Sequence, residues 1–349
     1  MPHWFEAPLV EIDLFSREKA ELRQSTLTKP PGSLGRLEQL AVLFAGWQGK
    51  VIPELVAKKT SIAIFAADHG VAEEGVSAFP QAVTVEMVKN FARGGAAISV
   101  LAAQLGADLH IVNAGTANSV AGVGGVVNNP VACGTANFAK QPAMTKQQCL
   151  DALAIGQQVI NEVIAQDTRL FIGGEMGIAN TTSATAVCCA LLNRPVDDLV
   201  GAGTGLGNQA IKHKADVISA ALKKHAPSPQ PLDVLCAVGG FEIAALAGAY
   251  IAAAQQGIPS LVDGFIATAA ALVACRLRPE LKGWLLFSHQ SAEKGHRLVL
   301  EQLEVSPLLS LGMRLGEGSG AAVCLPIIDS ALALHASMAT FEEAEVQAG

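Results

Sequence analysis

The stretch RLGEGSGAA, Arg314 to Ala322, sets a single carboxylate, Glu317, between glycines at 316 and 318, with another glycine at 320. Glycine permits positive φ and close approach of backbone to a ligand, at an entropic cost that an ordinary surface loop has little reason to bear. Glu317 is therefore either a turn residue or a working acid. Hydrolysis of an ordinary glycosidic bond generally takes two carboxylates, one of which protonates the leaving oxygen. A single one is enough where a pyridinium leaves as a neutral ring and the nucleophile is an azole whose N–H proton a general base removes. Burial among the apolar residues around LLSLGMRL would raise the pKa of Glu317 and its strength as a base.

Four other constellations invite chemistry, and each has a plain structural rival. VGAGTGLGNQAIKHK, 200–214, is a glycine-rich loop leading to Lys212 and Lys214; its free backbone N–H groups and an ammonium could hold a phosphate, or it is a simple loop. It lacks the ending of a P-loop, and no acid-bearing strand follows at dinucleotide-fingerprint distance. GGEMGIANTTSATA, 173–186, passes from a strand end through Glu175 to Asn180, Thr181, Thr182 and Ser183, good capping residues at a helix start that would attract an anion. Glu175 is placed to accept hydrogen bonds from sugar hydroxyls, or is merely solvated. SHQSAEKGHRL, 288–298, puts His289, Glu293 and His296 at helical spacings, but a zinc site normally shows tighter ligand spacing and a further strong ligand, so a packed helix start is expected and no metal. Asp68-His69 is either a proton shuttle or a pair satisfying backbone groups at a strand end.

Short apolar runs of strand length must position these groups: 61–68, 109–115, 169–175, 233–240, 259–264 and 283–289. Segments of helical period intervene, including VEMVKNFARGGAAISVLAAQL, KQQCLDALAIGQQVINEVIAQ and FEIAALAGAYIAAAQQ. This alternation predicts an α/β fold with a doubly wound, mostly parallel, Rossmann-like sheet. Ligands of such sheets bind beyond the carboxyl ends of the strands, which here read Asp68-His69-Gly70, Gly173-Gly174-Glu175, Gly239 to Glu242, Asp263-Gly264 and Ser288-His289. TLTKPPGSLGRLEQLAVLFAGWQ reads as a turn and an amphipathic helix, and PIIDSALALHASMATFEEAEV as another helix. These ends are expected to pair as a small helical domain, 1–60 with 311–349, carrying the Glu317 loop beside an α/β domain at 61–310. The Gly-, Val- and Asn-rich segment 115–143 reads as the least regular part.

Bulk properties set limits. A net charge of −7 gives no basic footprint, so no nucleic acid is expected and the substrate should be small. The seven cysteines form no C-x-x-C and sit mostly in apolar runs, the pattern of reduced, buried thiols in a cytoplasmic protein. The N-terminus lacks the basic and apolar regions of a leader, GFIATAAALVAC is too short to span a bilayer, and IAALAGAYIAAAQQGIPSLV is interrupted by glutamines, Gly and Pro, so no membrane partner is expected.

Taken together and in order, TKPPGSLGRLE, AADHGV, SAFPQAVT, GGEMGIANTTSATA, GAGTGL, VGGFEIAALAGA, DGFIATAAALVA, FSHQSAEKGH and MRLGEGSGAA resemble the nicotinate-nucleotide:dimethylbenzimidazole phosphoribosyltransferase family, from about residue 26 to about 346. The resemblance implies transfer of the 5-phosphoribosyl group from nicotinate mononucleotide to 5,6-dimethylbenzimidazole, inverting the anomeric carbon and releasing nicotinate for cobalamin nucleotide-loop assembly, with no cofactor. It implies Glu317 as the general base. It also implies Phe79, Met87 and Leu315 as apolar walls for the base, Glu175 and Lys214 at the nucleotide, and Gly177, Asn180, Gly203, Gly264 and Ser291 on the ribose or phosphate side. A homodimer with a parallel-sheet domain and a small helical domain follows from the same likeness. The chain departs from the pattern where many members carry Asp for Asn113, Arg for Ala136, and GRGTGLDD for the GAGTGLGN that contains Ala202 and Gly207. Two other classes stay open on the residues alone: a hydrolase letting water attack nicotinate mononucleotide, and a non-catalytic nucleotide sensor.

Overall fold

The computed structural model describes residues 3–346 other than 204 and 206, so the latter two positions of the glycine loop and both extreme ends of the expected helical domain lie outside the described residues. Six strands, β1 (Thr60–Ala67), β2 (Asp108–Gly115), β3 (Val126–Asn128), β4 (Leu170–Met176), β5 (Ser260–Val262) and β6 (Leu285–Phe287), form one sheet in the order β3-β2-β1-β4-β5-β6. Every pairing is parallel. The order reverses between β1 and β4, the place where ligands of a doubly wound sheet settle. The mostly parallel sheet expected from the alternation is thus fully parallel.

All eight residues of β1 are buried, which explains an unbroken apolar run rather than an alternating one. Side chains of successive strand residues point to opposite faces, and the two glycines of β4 show what covers each. A Cβ on Gly173 would overlap Leu246 of helix Phe241–Gln255, whereas one on Gly174 would stand 2.5 Å from the carbonyl oxygen of Glu317. On the first face, helices Lys146–Gln158 and Phe241–Gln255 cross so closely that a Cβ on either Gly156 or Gly248 would strike the other helix's backbone. Helix Phe241–Gln255 is buried nearly all round, as its apolar composition requires.

The run 233–240 is not a strand. It belongs to helix Pro231–Val238, with Pro231 in the first turn, where its missing N–H costs nothing, and Asp233 near the positive helix end. Strand β3, three residues long, lies inside the segment read as least regular. The long helix expected before β2 is two, Ala82–Ala92 and Ala97–Leu105, broken where Gly94 turns to φ +80°. Helices Leu14–Thr26, Arg36–Gln48 and Ser319–Ser337 lie together: Arg23 Nε donates to His335 O at 2.9 Å, and Leu27 bridges Thr340 antiparallel. Among the described residues Ser319–Ser337 is the one helix long and apolar enough to cross a membrane, and more than half of it is buried in the fold.

Candidate active site

At the carboxyl ends of β4 and β5 lies a cavity of about 290 Å³. Its walls bring together nine of the eleven site residues that the family resemblance implied. Glu175, Gly177 and Asn180 follow β4, Gly264 follows β5, and Ser291 follows β6; Gly203 comes from the glycine loop, and Leu315 and Glu317 from the turn before helix Ser319–Ser337. Phe79 closes the mouth; it and Leu315 are 51% and 58% exposed, large apolar surfaces facing an opening rather than a core.

Two of the eleven stand apart. Lys214 sits one layer behind the wall, 1% exposed, its Nζ donating to Thr181 Oγ1 at 2.7 Å, and it is Thr181 that reaches the cavity. Burial pushes the Lys214 ammonium down to about 8, with Glu293 opposing the shift. Met87, on helix Ala82–Ala92, packs half-buried against the core and is not among the residues lining the cavity.

The glycines of the turn are required by contact. A Cβ on Gly316 would overlap the Glu175 carboxylate, one on Gly320 would overlap the His289 ring, and Gly318 approaches Ile172. Glu317 itself takes φ +64°, a left-handed conformation that costs a non-glycine residue about 1–3 kcal/mol and persists only where the surroundings impose it. Asp263 supplies part of that constraint: its Oδ2 accepts from the Gly318 N–H at 3.1 Å and its Oδ1 from the Ala321 N–H at 2.9 Å. Glu317 is 5% exposed, and among the described residues its Oε2 has no hydrogen-bond partner. Burial raises its pKa above the usual carboxylate value and the charge of Asp263 adds to the rise, against an Ile98 backbone N–H that favours the ionised form.

Glu175 is the second acid of the cavity. Burial first, then the nearby Glu242 and Asp263, push it up to about 8, although Asn180 donates to its Oε2. Burial thus raises the proton affinity of both Glu175 and Glu317, and Glu175, at about 8, is held mostly neutral at neutral pH.

Other residues are committed elsewhere. His69, fully buried, bonds Glu242 through Nε2 at 2.6 Å and Ser183 through Nδ1 at 2.8 Å. Asp68 accepts from Thr84 Oγ1 and the Ala117 N–H, so neither residue of the 68–69 pair opens onto the cavity. His289 and Glu293 precede helix Lys294–Gln302, and only His296 lies within it. Nδ1 of His296 accepts from the Ser291 N–H, which leaves Nε2–H to donate to Thr268 Oγ1; burial pushes its pKa down to about 3, so the ring is neutral. His289, expected at a strand end, does line the cavity, as does Glu293; Arg314 and the apolar Ile178, Phe265 and Ile266 line it too, and neither composition nor spacing marked those four as binding residues. Arg314 Nη1 lies 3.5 Å from Gly203 O, joining the two glycine-rich segments across the mouth.

The departures from the family pattern have local accounts. Asn113 ties β2 to β3 by donating to Asn128, while its Oδ1 accepts from the Gly115 and Thr116 N–H groups. Ala202 borders a second cavity of about 500 Å³ that shares Glu293 and Arg314 with the first. Gly207 is the N-cap of helix Asn208–His225. The structure gives no side-chain reason for Ala136.

Comparisons with known proteins converge on one family. The family model DBI_PRT, described as phosphoribosyltransferase, matches residues 10–346. A nicotinate-nucleotide–dimethylbenzimidazole phosphoribosyltransferase of Xanthomonas oryzae pv. oryzae is 57% identical over 343 residues, covering 98% of both chains. The protein of that name from Pseudomonas aeruginosa is 54% identical over 344 residues, covering 98% of this chain and 97% of its own. The crystal structure of the Thermus thermophilus enzyme superposes with a TM-score of 0.91 at 41% identity, covering 97% of this chain and all of that one. With sequence, fold and nearly full-length coverage in agreement, the chain belongs to the nicotinate-nucleotide–dimethylbenzimidazole phosphoribosyltransferase family.

Proposed function

We propose that the cavity transfers the 5-phosphoribosyl group of nicotinate mononucleotide to 5,6-dimethylbenzimidazole, giving α-ribazole 5′-phosphate and nicotinate for cobalamin nucleotide-loop assembly. The observation that carries the mechanism is the Glu317 carboxylate, buried beside an apolar mouth with Oε2 lacking a partner. One nitrogen of the base attacks the anomeric carbon from the face opposite the pyridinium. The C–N bond to the pyridinium breaks, its electron pair returns to the ring nitrogen, and nicotinate departs without needing an acid. The proton on the other azole nitrogen passes to Glu317, whose raised proton affinity makes it a better base. Inversion at the anomeric carbon follows from this geometry of attack, and no metal or cofactor is called for.

Within this reading Phe79 and Leu315 cover the flat faces of the base, a role their exposure suits. Glu175, held neutral, donates or accepts at a sugar hydroxyl, and Gly177, Asn180, Gly203, Gly264 and Ser291 bound the ribose and phosphate. Lys214 acts on the phosphate through Thr181, and Met87 shapes the base pocket from behind. The segments 1–60 and 311–349 serve as a small helical unit holding the Glu317 turn, and the protein works as a cytoplasmic homodimer. The hydrolase and sensor alternatives draw no support from the relatives, which bear transferase names. The test is to incubate the protein with nicotinate mononucleotide, with and without dimethylbenzimidazole, and follow both products. Nicotinate release that depends on the base, matched by α-ribazole phosphate, is expected; release without the base would make the protein a hydrolase.

A further inference from the structure

Asp263 is committed to backbone rather than to the cavity. It follows β5, is 2% exposed, and does not line the cavity, yet its two oxygens hold the N–H groups of Gly318 and Ala321. Those groups belong to the start of helix Ser319–Ser337, where Gly318, as N-cap, has no side chain to offer them. Four N–H groups at a helix start lack intrahelical partners, and the helix end favours a negative charge. The carboxylate therefore grips the chain one peptide beyond Glu317, at the residue that must hold Glu317 in its left-handed conformation. On its other side Asp263 adjoins the donor wall: Gly264 lines the cavity, and the His289 ring, which also lines it, stands with Nδ1 3.7 Å from Asp263 Oδ1. One buried side chain thus joins the turn bearing the base to the wall beside the ribose.

We propose that Asp263 is a positioning residue for Glu317: it sets the register between the carboxylate that takes the azole proton and the wall that fixes the anomeric carbon, without touching either substrate. The inference rests on Glu317 being the general base of the reading above. Transfer between two bound reactants is steep in geometry, and a misplacement of about 1 Å costs roughly 100-fold in rate. Asn at 263 keeps the shape and one acceptor but turns an NH2 toward the second N–H. Ala removes both acceptors.

The experiment measures kcat and KM for both substrates in the wild type, Asp263→Asn, Asp263→Ala, Glu317→Gln and the Asp263→Asn/Glu317→Gln double variant, each assayed well below its own melting temperature. Asp263→Asn, the isosteric change, keeps the test open if Asp263→Ala fails to fold. The expected result is a loss of roughly 100-fold in kcat for Asp263→Asn with little change in either KM, and no further loss when it is added to Glu317→Gln. Losses that multiply in the double variant, or that fall on KM, overturn the positioning role while leaving the base in place. A fully active Glu317→Gln removes the base assignment itself, and this proposal with it.

Discussion

Two stretches of this chain look alike on paper: GVGG at 122–125 and GEGSG at 316–320. In the first, a Cβ added to Gly122, Gly124 or Gly125 meets nothing within 4 Å, and all three residues are exposed. In the second, every glycine presses on something: Gly316 on the Glu175 carboxylate, Gly318 on Ile172, Gly320 on the His289 ring. The first set serves an open turn, and the second lets Glu317 gather with Glu175 and the His289 ring around one cavity. The loop at 201–207 combines both kinds, with Gly201 against Glu293 and Gly203 against Thr181, while Gly205 and Gly207 stand open. Glycine density in a sequence therefore marks where backbone is unusual, and only the fold says whether the cause is a turn or a close approach.

The contrast can be broken by substitution. Gly320→Ala forces a methyl into the His289 ring at a buried helix start, where overpacking typically costs about 1–3 kcal/mol and occasionally more. Its melting temperature should fall by several degrees and turnover should drop with it, as thermal denaturation and steady-state kinetics on one preparation would show. Gly316→Ala sets a methyl against Glu175 and strains a residue at φ +87°, so its loss should appear as weaker nucleotide binding as well as reduced stability. Equal affinity for nicotinate mononucleotide in this variant would count against a contact between Glu175 and the nucleotide.

A pH series sharpens the same picture. Glu175 lies near 8 in the folded protein against 4.5 unfolded, so above 4.5 the folded state binds the extra proton. The stability this group contributes is complete below 4.5 and is lost as pH rises through about 8. Glu175→Gln should therefore flatten the fall in melting temperature over that range and gain most on the alkaline side. A wild-type curve that does not fall there would contradict the burial argument. The smallest effect belongs to Gly124→Ala, in open space and without positive φ: stability within about 0.5 kcal/mol of wild type and unchanged kinetics are expected from a surface position of this kind.

What could be read in advance follows the same division between local and distant causes. Strand ends are local: an apolar run such as 169–175 that stops at Glu175 announces both a strand and a cavity residue, and Gly264 and His289 follow the same pattern, whereas Asp68 and His69 end a strand without reaching the cavity. The run at 233–240 misled because a short apolar segment has no clear period, and the decisive signal was Pro231 just before it. Strand β3 was invisible since three residues carry no alternation. The glycine-rich stretch and the family likeness both point to Lys214 at the phosphate, and the likeness alone to Met87 as a wall of the base pocket, whereas side-chain direction places one behind Thr181 and the other against the core. Asp263 was recognised only as a strand end. Its partners, Gly318 and Ala321, are 55 and 58 residues away in the chain, and no spacing rule reaches that far.

The central claim is that one buried carboxylate, in a turn built from close-approach glycines, takes the proton. The most direct measurement is single-turnover reaction of Glu317→Gln with saturating nicotinate mononucleotide and dimethylbenzimidazole, following nicotinate and α-ribazole phosphate together. General-base assistance contributes about 100- to 10,000-fold, so a slowing of that order with nucleotide affinity retained is the expected result. A variant that forms both products at the wild-type rate would contradict the account.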